Sequence, residues 1–239
     1  MPAPDLRFLP EFKKYDLRSR TDPGYWYRAD MGLQKLERIR FPWFVGQLPA
    51  LAGLRVLDIG CGGGILSEDL ARSGAHVTAL DPSRETLKLA RAHAKREGLV
   101  IDYRHGFAED IKDRKAFDIV FAVDVLEHVN DLPRTLDKAL HALKPGGWFG
   151  YLTHNATLEA FKEIIWKWEY ETPARSRGHH DFHRFIRPDD LARHLRTRGA
   201  RVEAQTGIRW SPKLALAKSL AVTYMGLARL SEKKRPSVR

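Results

Sequence analysis

The sequence predicts an α/β fold, a seven-stranded, mainly parallel sheet with helices on both faces. Short apolar runs alternate with amphipathic helical segments between residues 55 and 152. This alternation is typical of parallel strands that are joined by helical crossover connections. A glycine-rich turn follows the first apolar run, and 239 residues are enough for one such domain with its own core. Ligands of these sheets bind beyond the carboxyl ends of the strands, so a site is expected there.

Each element has its own local signal. Apolar runs that end at glycine or polar residues predict strands at 55–59, 76–80, 101–105, 117–122, 148–153, 201–206 and 222–230. Apolar residues at helical spacing predict helices at 65–73, from 82 to a stop at Gly98, and at 132–143, 156–170 and 188–198. Pro82 is expected at the first position of its helix.

Basic residues are concentrated late in the chain. The formal charge is +11, and residues 160–239 hold 18 Lys and Arg against 8 Asp and Glu. This field favours an anionic partner, and the alternative is a solvated basic surface. The chain has no apolar run of the roughly 18 residues that a membrane span needs, and no N-terminal apolar signal core, so a cytoplasmic protein is expected.

The glycine-rich turn runs from Gly60 to Gly64. Glycine permits the sharp turn and lets the backbone approach a ligand that a Cβ would block. Asp81 follows Gly60 by 21 positions, at the end of the second strand, where a carboxylate accepts hydrogen bonds from ribose hydroxyls. A dinucleotide-binding turn has a glycine at the sixth position, which is Ile65 here. With the apolar strand ending in Asp58, the turn instead resembles that of class I S-adenosylmethionine-dependent methyltransferases.

This resemblance implies a set of cofactor contacts at the strand ends: Asp58, Gly60, Gly62, Gly64, Asp81, Phe107 and Ala108. Phe107 stands where many such enzymes hold the adenine amino group with an acid. A ring there packs against the base, so that hydrogen bond is expected to come from elsewhere. Cys61 is interpreted as a small residue that fills the tight turn.

The fourth strand leads into Asp124, Glu127 and His128. A hydroxyl must lose its proton before it attacks the methyl group of a sulfonium. A histidine suits that task, and so does a divalent metal that acidifies the oxygen. The residues alone leave two readings open: the three side chains converge on Mg²⁺ or Zn²⁺, or the acid and the histidine order the loop.

Between about Lys35 and Leu230 the chain resembles the O-methyltransferases of ubiquinone biosynthesis. Its most specific segment, 178–188, is similar to that family's Gly-x-His-Asp-x-x-Lys-Phe-Ile-Lys-Pro block. The resemblance implies S-adenosylmethionine as cofactor, with further contacts at Arg40 and Val123, and a phenol or quinol as substrate. We expect catalytic roles for His128, Glu127 and His180, and a site for a divalent metal, Mg or Zn, at Asp124, Glu127 and His128.

With this resemblance, the chain divides into five predicted segments. They are an N-terminal helical cap (1–50), a cofactor-binding core (51–153), a lid (154–188), the C-terminal part of the core (189–230) and a basic tail (231–239), which is expected to be disordered. In the lid, Trp166 falls opposite the main apolar stripe, beside basic residues. That arrangement suits peripheral contact with an anionic membrane at its inner face, and the alternative is that Trp166 caps the site.

The predicted reaction is methyl transfer to a phenolic hydroxyl of a lipophilic, ubiquinone-pathway-like molecule. One alternative is another small-molecule acceptor. A nucleic-acid acceptor would explain the basic last third, but the fourth strand lacks the Asn/Asp-Pro-Pro-aromatic run of amino-methylating enzymes, and no RNA-binding module is evident. A non-catalytic cofactor-binding protein is the third alternative.

Overall fold

The computed structural model describes residues 9–28, 32–171 and 178–232, and one eight-stranded sheet forms its centre. The strands are β1 Arg55–Ile59, β2 His76–Asp81, β3 Asp102–His105, β4 Phe117–Val123, β5 Leu143–His154, β6 Ala200–Arg209, β7 Ala215–Ala217 and β8 Thr223–Leu230. Across the sheet they follow the order β3-β2-β1-β4-β5-β8-β6-β7.

The sheet is mainly parallel, as predicted. Strands β1 to β5 pair in parallel, whereas β8 is antiparallel to both of its neighbours, β5 and β6. The predicted number of seven strands is one too low, because β7 pairs antiparallel with β6 at the edge of the sheet. A three-residue strand contains too few residues for an alternating pattern, which is why the sequence does not show it.

Helices cover both faces of the sheet. They are α1 Glu11–Thr21, α2 Gly32–Val45, α3 Ile65–Arg72, α4 Arg84–Arg96, α5 Leu132–Ala142, α6 Leu158–Ala160 and α7 Pro188–Thr197. The chain continues from α6 as a π-helix over Phe161–Tyr170, and 3₁₀ turns span Ala108–Asp110 and Phe182–Arg184. Along β4, Val120 and Ala122 pack with α5 and α7, whereas Ile119 and Phe121 pack with α2, α3 and α4. The strands are therefore buried on both faces, as parallel strands are expected to be.

Several predicted boundaries are corrected. Pro82 precedes α4 rather than opening it, because the Ser83 hydroxyl accepts a hydrogen bond from the Thr86 N–H at 3.1 Å and caps the helix. Strand β5 begins at Leu143 rather than at 148, since Leu143 already pairs with Phe117 before a register shift. The predicted 156–170 helix starts at Leu158 and is a π-helix over most of its length.

Parts of the predicted lid and tail lie outside the described residues, namely 172–177 and 233–239. In the portions that the structure describes, no helix combines the length and the apolar character needed to cross a membrane.

The fold brings the predicted site residues to one edge, where β1, β2, β4 and β5 end. Helix α1 crosses this edge and is anchored on the start of α4. The Ser19 hydroxyl lies 2.8 Å from that of Thr86, and the Ser83 hydroxyl donates to Asp16 at 2.6 Å. The N-terminal segment therefore forms one wall of the site.

Candidate active site

A cavity of about 790 Å³ opens at the carboxyl ends of the parallel strands. Most of the predicted site residues line it: Arg40, Asp58, Gly60, Gly62, Asp81, Phe107, Ala108, Val123, Asp124, His128 and His180. Gly64 and Glu127 are not among its lining residues. The structure thus brings together in one space side chains that the sequence places up to 140 positions apart.

The glycine turn packs against side chains of this chain. A Cβ on Gly60, which has φ +67°, would overlap Val125, and one on Gly62 would lie 2.7 Å from the Trp26 ring. Trp26 also covers Gly63, and its Nε1 donates to the Ser19 hydroxyl at 3.2 Å. Close packing within the protein therefore already requires glycine at Gly60 and Gly62, and the approach of a ligand to the turn stays a prediction.

Asp81 lies at the end of β2 beside the turn. One of its carboxylate oxygens accepts the Gly62 N–H at 2.9 Å, and the other accepts the Ser83 N–H at 2.8 Å. Burial raises the pKa of Asp81 to about 6, although both hydrogen bonds act to lower it. Each oxygen keeps a further lone pair, so the carboxylate can also accept hydrogen bonds from a ribose diol.

Arg40 is buried and paired with two acids. It donates to Glu37 and, at 2.6 Å, to Asp124. These carboxylates hold the pKa of Arg40 above its usual range, although burial opposes them. Nearby, Asp58 accepts the Ser67 hydroxyl at 2.5 Å, and burial raises its pKa to about 7. The charge of Arg40 is thus paired within the protein, and its predicted contact with the cofactor stays a prediction.

Phe107 and Ala108 follow β3 on the same side of the cavity as Asp81. Phe107 packs edge-on against Phe12 of α1, with ring centroids 5.7 Å apart. The two rings form an apolar surface at the cavity, and the packing of Phe107 against adenine stays a prediction. Sequence reasoning did not identify Phe12, because it lies 95 positions away and carries no motif.

Both ring nitrogens of His128 have partners on α1. Nδ1 lies 3.0 Å from a Glu11 carboxylate oxygen and Nε2 lies 3.2 Å from the Tyr15 hydroxyl. Glu11 and Tyr15 are four residues apart, so they share one face of the helix. Burial lowers the pKa of His128, although Glu11 raises it. Neither residue was predicted, because no local signal links α1 to a histidine more than 110 residues away.

Asp124 and Glu127 converge with His154, at the end of β5, rather than with His128. One ligand atom from each of the three lies within 4.8 Å of the others. Glu127 is buried, and its Oε2 accepts the Thr153 hydroxyl at 2.8 Å. Its Oε1 has no hydrogen-bond partner among the described residues and lies 3.7 Å from His154 Nε2.

This donor set fits a divalent ion. Two carboxylates and an imidazole are ligands that such ions accept, and Oε1 of Glu127, which has no hydrogen-bond partner among the described residues, is available as a ligand atom. Burial and the neighbouring Asp124 raise the pKa of Glu127 to about 8. Asp124 has φ +55°, a left-handed conformation that is uncommon outside glycine and is found at functional sites.

The lid is tied together by Glu169 of the π-helix. This buried carboxylate accepts the Gly178 N–H at 2.6 Å, the His180 N–H at 2.8 Å and the His180 ring Nδ1–H at 2.9 Å. The His180 ring lies 5.5 Å from that of His128 and 5.2 Å from that of His154, between centroids. The rings of His128, His154 and His180 therefore lie together at one side of the cavity; the sequence predicted catalytic roles for His128 and His180 but not for His154.

Known proteins resemble this chain in sequence and in fold. A family model described as a methyltransferase domain matches residues 28–205. A ubiquinone biosynthesis O-methyltransferase of Xylella fastidiosa strain 9a5c is 40% identical over 212 residues, 86% of each chain. One from Nitrobacter winogradskyi is 41% identical over 184 residues, which cover 76% of this chain and 70% of that protein. The crystal structure of the PH0226 protein from Pyrococcus horikoshii OT3 has a TM-score of 0.66 at 17% identity, covers 89% of this chain and 98% of that chain, and shows the fold.

The chain belongs to the methyltransferase family and, within it, to the ubiquinone biosynthesis O-methyltransferases. The predicted resemblance is confirmed, and so is the Rossmann-like fold of a class I S-adenosylmethionine-dependent methyltransferase.

Proposed function

We propose that this member of the family transfers a methyl group from S-adenosylmethionine to a phenolic hydroxyl of a lipophilic, ubiquinone-pathway-like ring. The observation that carries the proposal is a single cavity with two chemically different ends. One end holds the glycine turn and Asp81, and the other holds the histidines beside an apolar wall of Ile165, Trp168 and Trp210. A polar nucleoside and a prenylated ring can thus meet in one space.

The position of each residue in the cavity indicates its role. Asp81 accepts hydrogen bonds from the ribose hydroxyls, and Phe107 with Ala108 packs against the adenine. S-adenosylmethionine, when bound, supplies an electrophilic methyl group on a sulfonium. The histidines at the other end face the acceptor, where an imidazole can remove the phenolic proton. Holding both molecules in one cavity lowers the barrier through proximity and orientation.

The first experiment separates cofactor binding from acceptor choice. Isothermal titration with S-adenosylhomocysteine should show binding by the wild type and none by Gly62→Arg, whose side chain would collide with Trp26 and distort the glycine turn that lines the cavity. Gly98→Arg is the matched control, since Gly98 also has a positive φ, of 68°, but has open space around it. A wild type that gives no binding heat contradicts the proposal.

The acceptor is then identified by a methylation assay. The wild type is given a prenylated catechol, an unprenylated catechol and bulk RNA, each with labelled S-adenosylmethionine. Labelled prenylated catechol supports the proposal, and preference for the unprenylated ring points to another small molecule. Labelled RNA would favour the nucleic-acid alternative that the basic last third of the chain suggests.

A divalent ion at Asp124, Glu127 and His154 is a further part of the proposal. Bound there, it would polarise a hydroxyl oxygen of the acceptor and make its proton easier to remove. Metal content after dialysis against Zn²⁺ or Mg²⁺ should approach one ion per chain and fall in Glu127→Gln. The exposed Glu159→Gln serves as the matched control. Equal metal content in all three proteins would contradict this part alone.

The last part of the proposal is peripheral contact of this protein with an anionic membrane. Trp166 is 54% exposed, as the helical pattern suggested, and stacks on the partly exposed Tyr170, with Leu158 exposed nearby in sequence. Apolar and aromatic side chains beside lysines suit a lipid interface. Flotation with anionic vesicles should carry the wild type upward and Trp166→Ala less. Val100→Ala, at an exposed apolar position far away in sequence, should behave like the wild type. Equal flotation of Trp166→Ala and wild type would contradict the contact.

A further inference from the structure

The lid contains a carboxylate–imidazole pair whose acid, Glu169, no sequence motif indicates. Glu169 is 2% exposed, and all three of its hydrogen bonds go to the 178–180 segment. The His180 ring is mostly buried and lines the cavity. A buried acid whose three described hydrogen bonds all come from one short segment fixes the position and the orientation of that segment.

The geometry determines which nitrogen of His180 carries the hydrogen. Oε1 of Glu169 accepts the backbone N–H of His180, and Oε2 accepts that of Gly178. Backbone N–H groups only donate, so both oxygens are held as acceptors. The 2.9 Å contact with Nδ1 then requires a hydrogen on Nδ1. In the neutral ring the lone pair is therefore on Nε2, the nitrogen that can accept a proton.

His180 differs in this respect from the other two imidazoles. The lone pair of His128 faces the Tyr15 hydroxyl, because Glu11 holds its Nδ1–H. His154 is bonded to the Thr223 hydroxyl on one side, and its Nε2 points to Glu127. In the described part of the chain, His180 Nε2 has no hydrogen-bond partner.

We infer that His180 is the general base of the reaction and that Glu169 is the positioning residue that sets its tautomer. The inference rests on the proposed function and deepens it. The phenolic O–H bond breaks, and its proton passes to Nε2 of His180. The oxygen uses the freed electron pair to bond the methyl carbon, while the sulfur–methyl bond breaks and leaves its pair on sulfur. The imidazolium then returns its proton to water.

The test uses two acceptors that differ only in ionisation. One is a prenylated catechol, and the other is its ring-nitrated derivative, whose first hydroxyl is already ionised at the assay pH. An ionised acceptor needs no base. With the neutral catechol, kcat of His180→Gln should fall about 100-fold or more, and with the nitrated one it should stay close to the wild type.

Glu169→Gln should show the same selectivity with a smaller loss. Its amide cannot accept from all three N–H groups, so the tautomer of His180 is no longer imposed. The expected fall in kcat on the neutral catechol is about 10- to 100-fold, as for other groups that orient an imidazole. Glu163→Gln is the matched control, because Glu163 lies on the same π-helix and pairs only with Lys167 in the described contacts. S-adenosylhomocysteine affinity should be unchanged in every variant.

Several outcomes overturn the inference. Equal losses on both acceptors would mean that the pair has only a structural role. A selective loss in His128→Gln but not in His180→Gln would assign the base to His128. Nitrogen-15 NMR of the wild type with S-adenosylhomocysteine bound identifies the tautomer of His180 without any acceptor. A hydrogen on Nε2 of the neutral ring would also overturn the inference. A wild type that binds S-adenosylhomocysteine but methylates neither catechol contradicts the proposed function instead, and the NMR result still tests the pair.

Discussion

The affinity for S-adenosylhomocysteine should fall at low pH because of Asp81. Its buried carboxyl has a pKa of about 6 in the free protein, and a ribose diol donates hydrogen bonds to the ionised form. Binding therefore favours the carboxylate and lowers the pKa further. The affinity should be fully present from about one pH unit above this pKa and should be lost as the pH falls through it.

The size of the effect follows from the pKa. One pH unit below it, about a tenth of the Asp81 carboxyls are ionised, so Kd at pH 5 should be about tenfold that at pH 7.5, or about 1.4 kcal/mol. Isothermal titration at constant ionic strength from pH 5 to pH 8 measures this directly. The hydrogen bonds from Gly62 and Ser83 also depend on this carboxylate, so the glycine turn should loosen in the same pH range.

Two variants isolate the responsible group. Asp81→Asn should bind weakly at every pH and lose the change between pH 5 and pH 6. Asp58→Asn should keep that change, because Asp58 lines the same cavity but has a pKa of about 7. A wild-type Kd that is constant from pH 5 to pH 8, or an unchanged slope in Asp81→Asn, would refute the reasoning.

Three further predictions follow from the packing of the site. Gly60→Ala should lower Tm by about 5 °C and weaken cofactor binding, because a Cβ at φ +67° would overlap Val125; a Tm within 1 °C of the wild type would be inconsistent with that overlap. Arg40→Met should cost about 3–5 kcal/mol in urea unfolding, since it leaves the buried Glu37 and the half-buried Asp124 without their cation; a loss below about 1 kcal/mol would mean that Arg40 does not stabilise these acids. Cys61 should react with a thiol reagent only after unfolding, since burial raises the pKa of its thiol well above the usual range; stoichiometric labelling of the native protein would contradict this.

The fold was predictable where each element has a strong local signal. Strand β1 begins and ends as predicted, because an apolar run is bounded by Arg55 and the glycine turn. The start of α4 was misplaced because Pro82 and Ser83 are both good N-terminal residues, and only the contact of the Ser83 hydroxyl with the Thr86 N–H decides between them. Edge strand β7 was missed because three residues do not reveal a period.

The site was predictable only where its residues belong to one motif or to one block of the resembling family. The turn, Asp81 and His128 were found in this way. Glu11, Tyr15 and Glu169 were not, because each is a polar residue on a helix and looks solvent-exposed in the sequence. Only tertiary packing turns these helix faces toward histidines, and helix amphipathicity cannot show which polar residue is buried by a distant partner.

Residues of helix α1 contact both ends of the cavity. Phe12 packs against Phe107 at the adenine end, whereas Glu11 and Tyr15 hold both ring nitrogens of His128 at the acceptor end. The phenol of Tyr15 is also the same chemical group as the proposed acceptor, and it occupies the lone pair that an acceptor hydroxyl would need at His128. An acceptor can therefore use His128 only by displacing Tyr15, whereas no described residue has to leave Nε2 of His180. This difference in access, rather than any difference in the two rings, is why the structure favours His180 as the base.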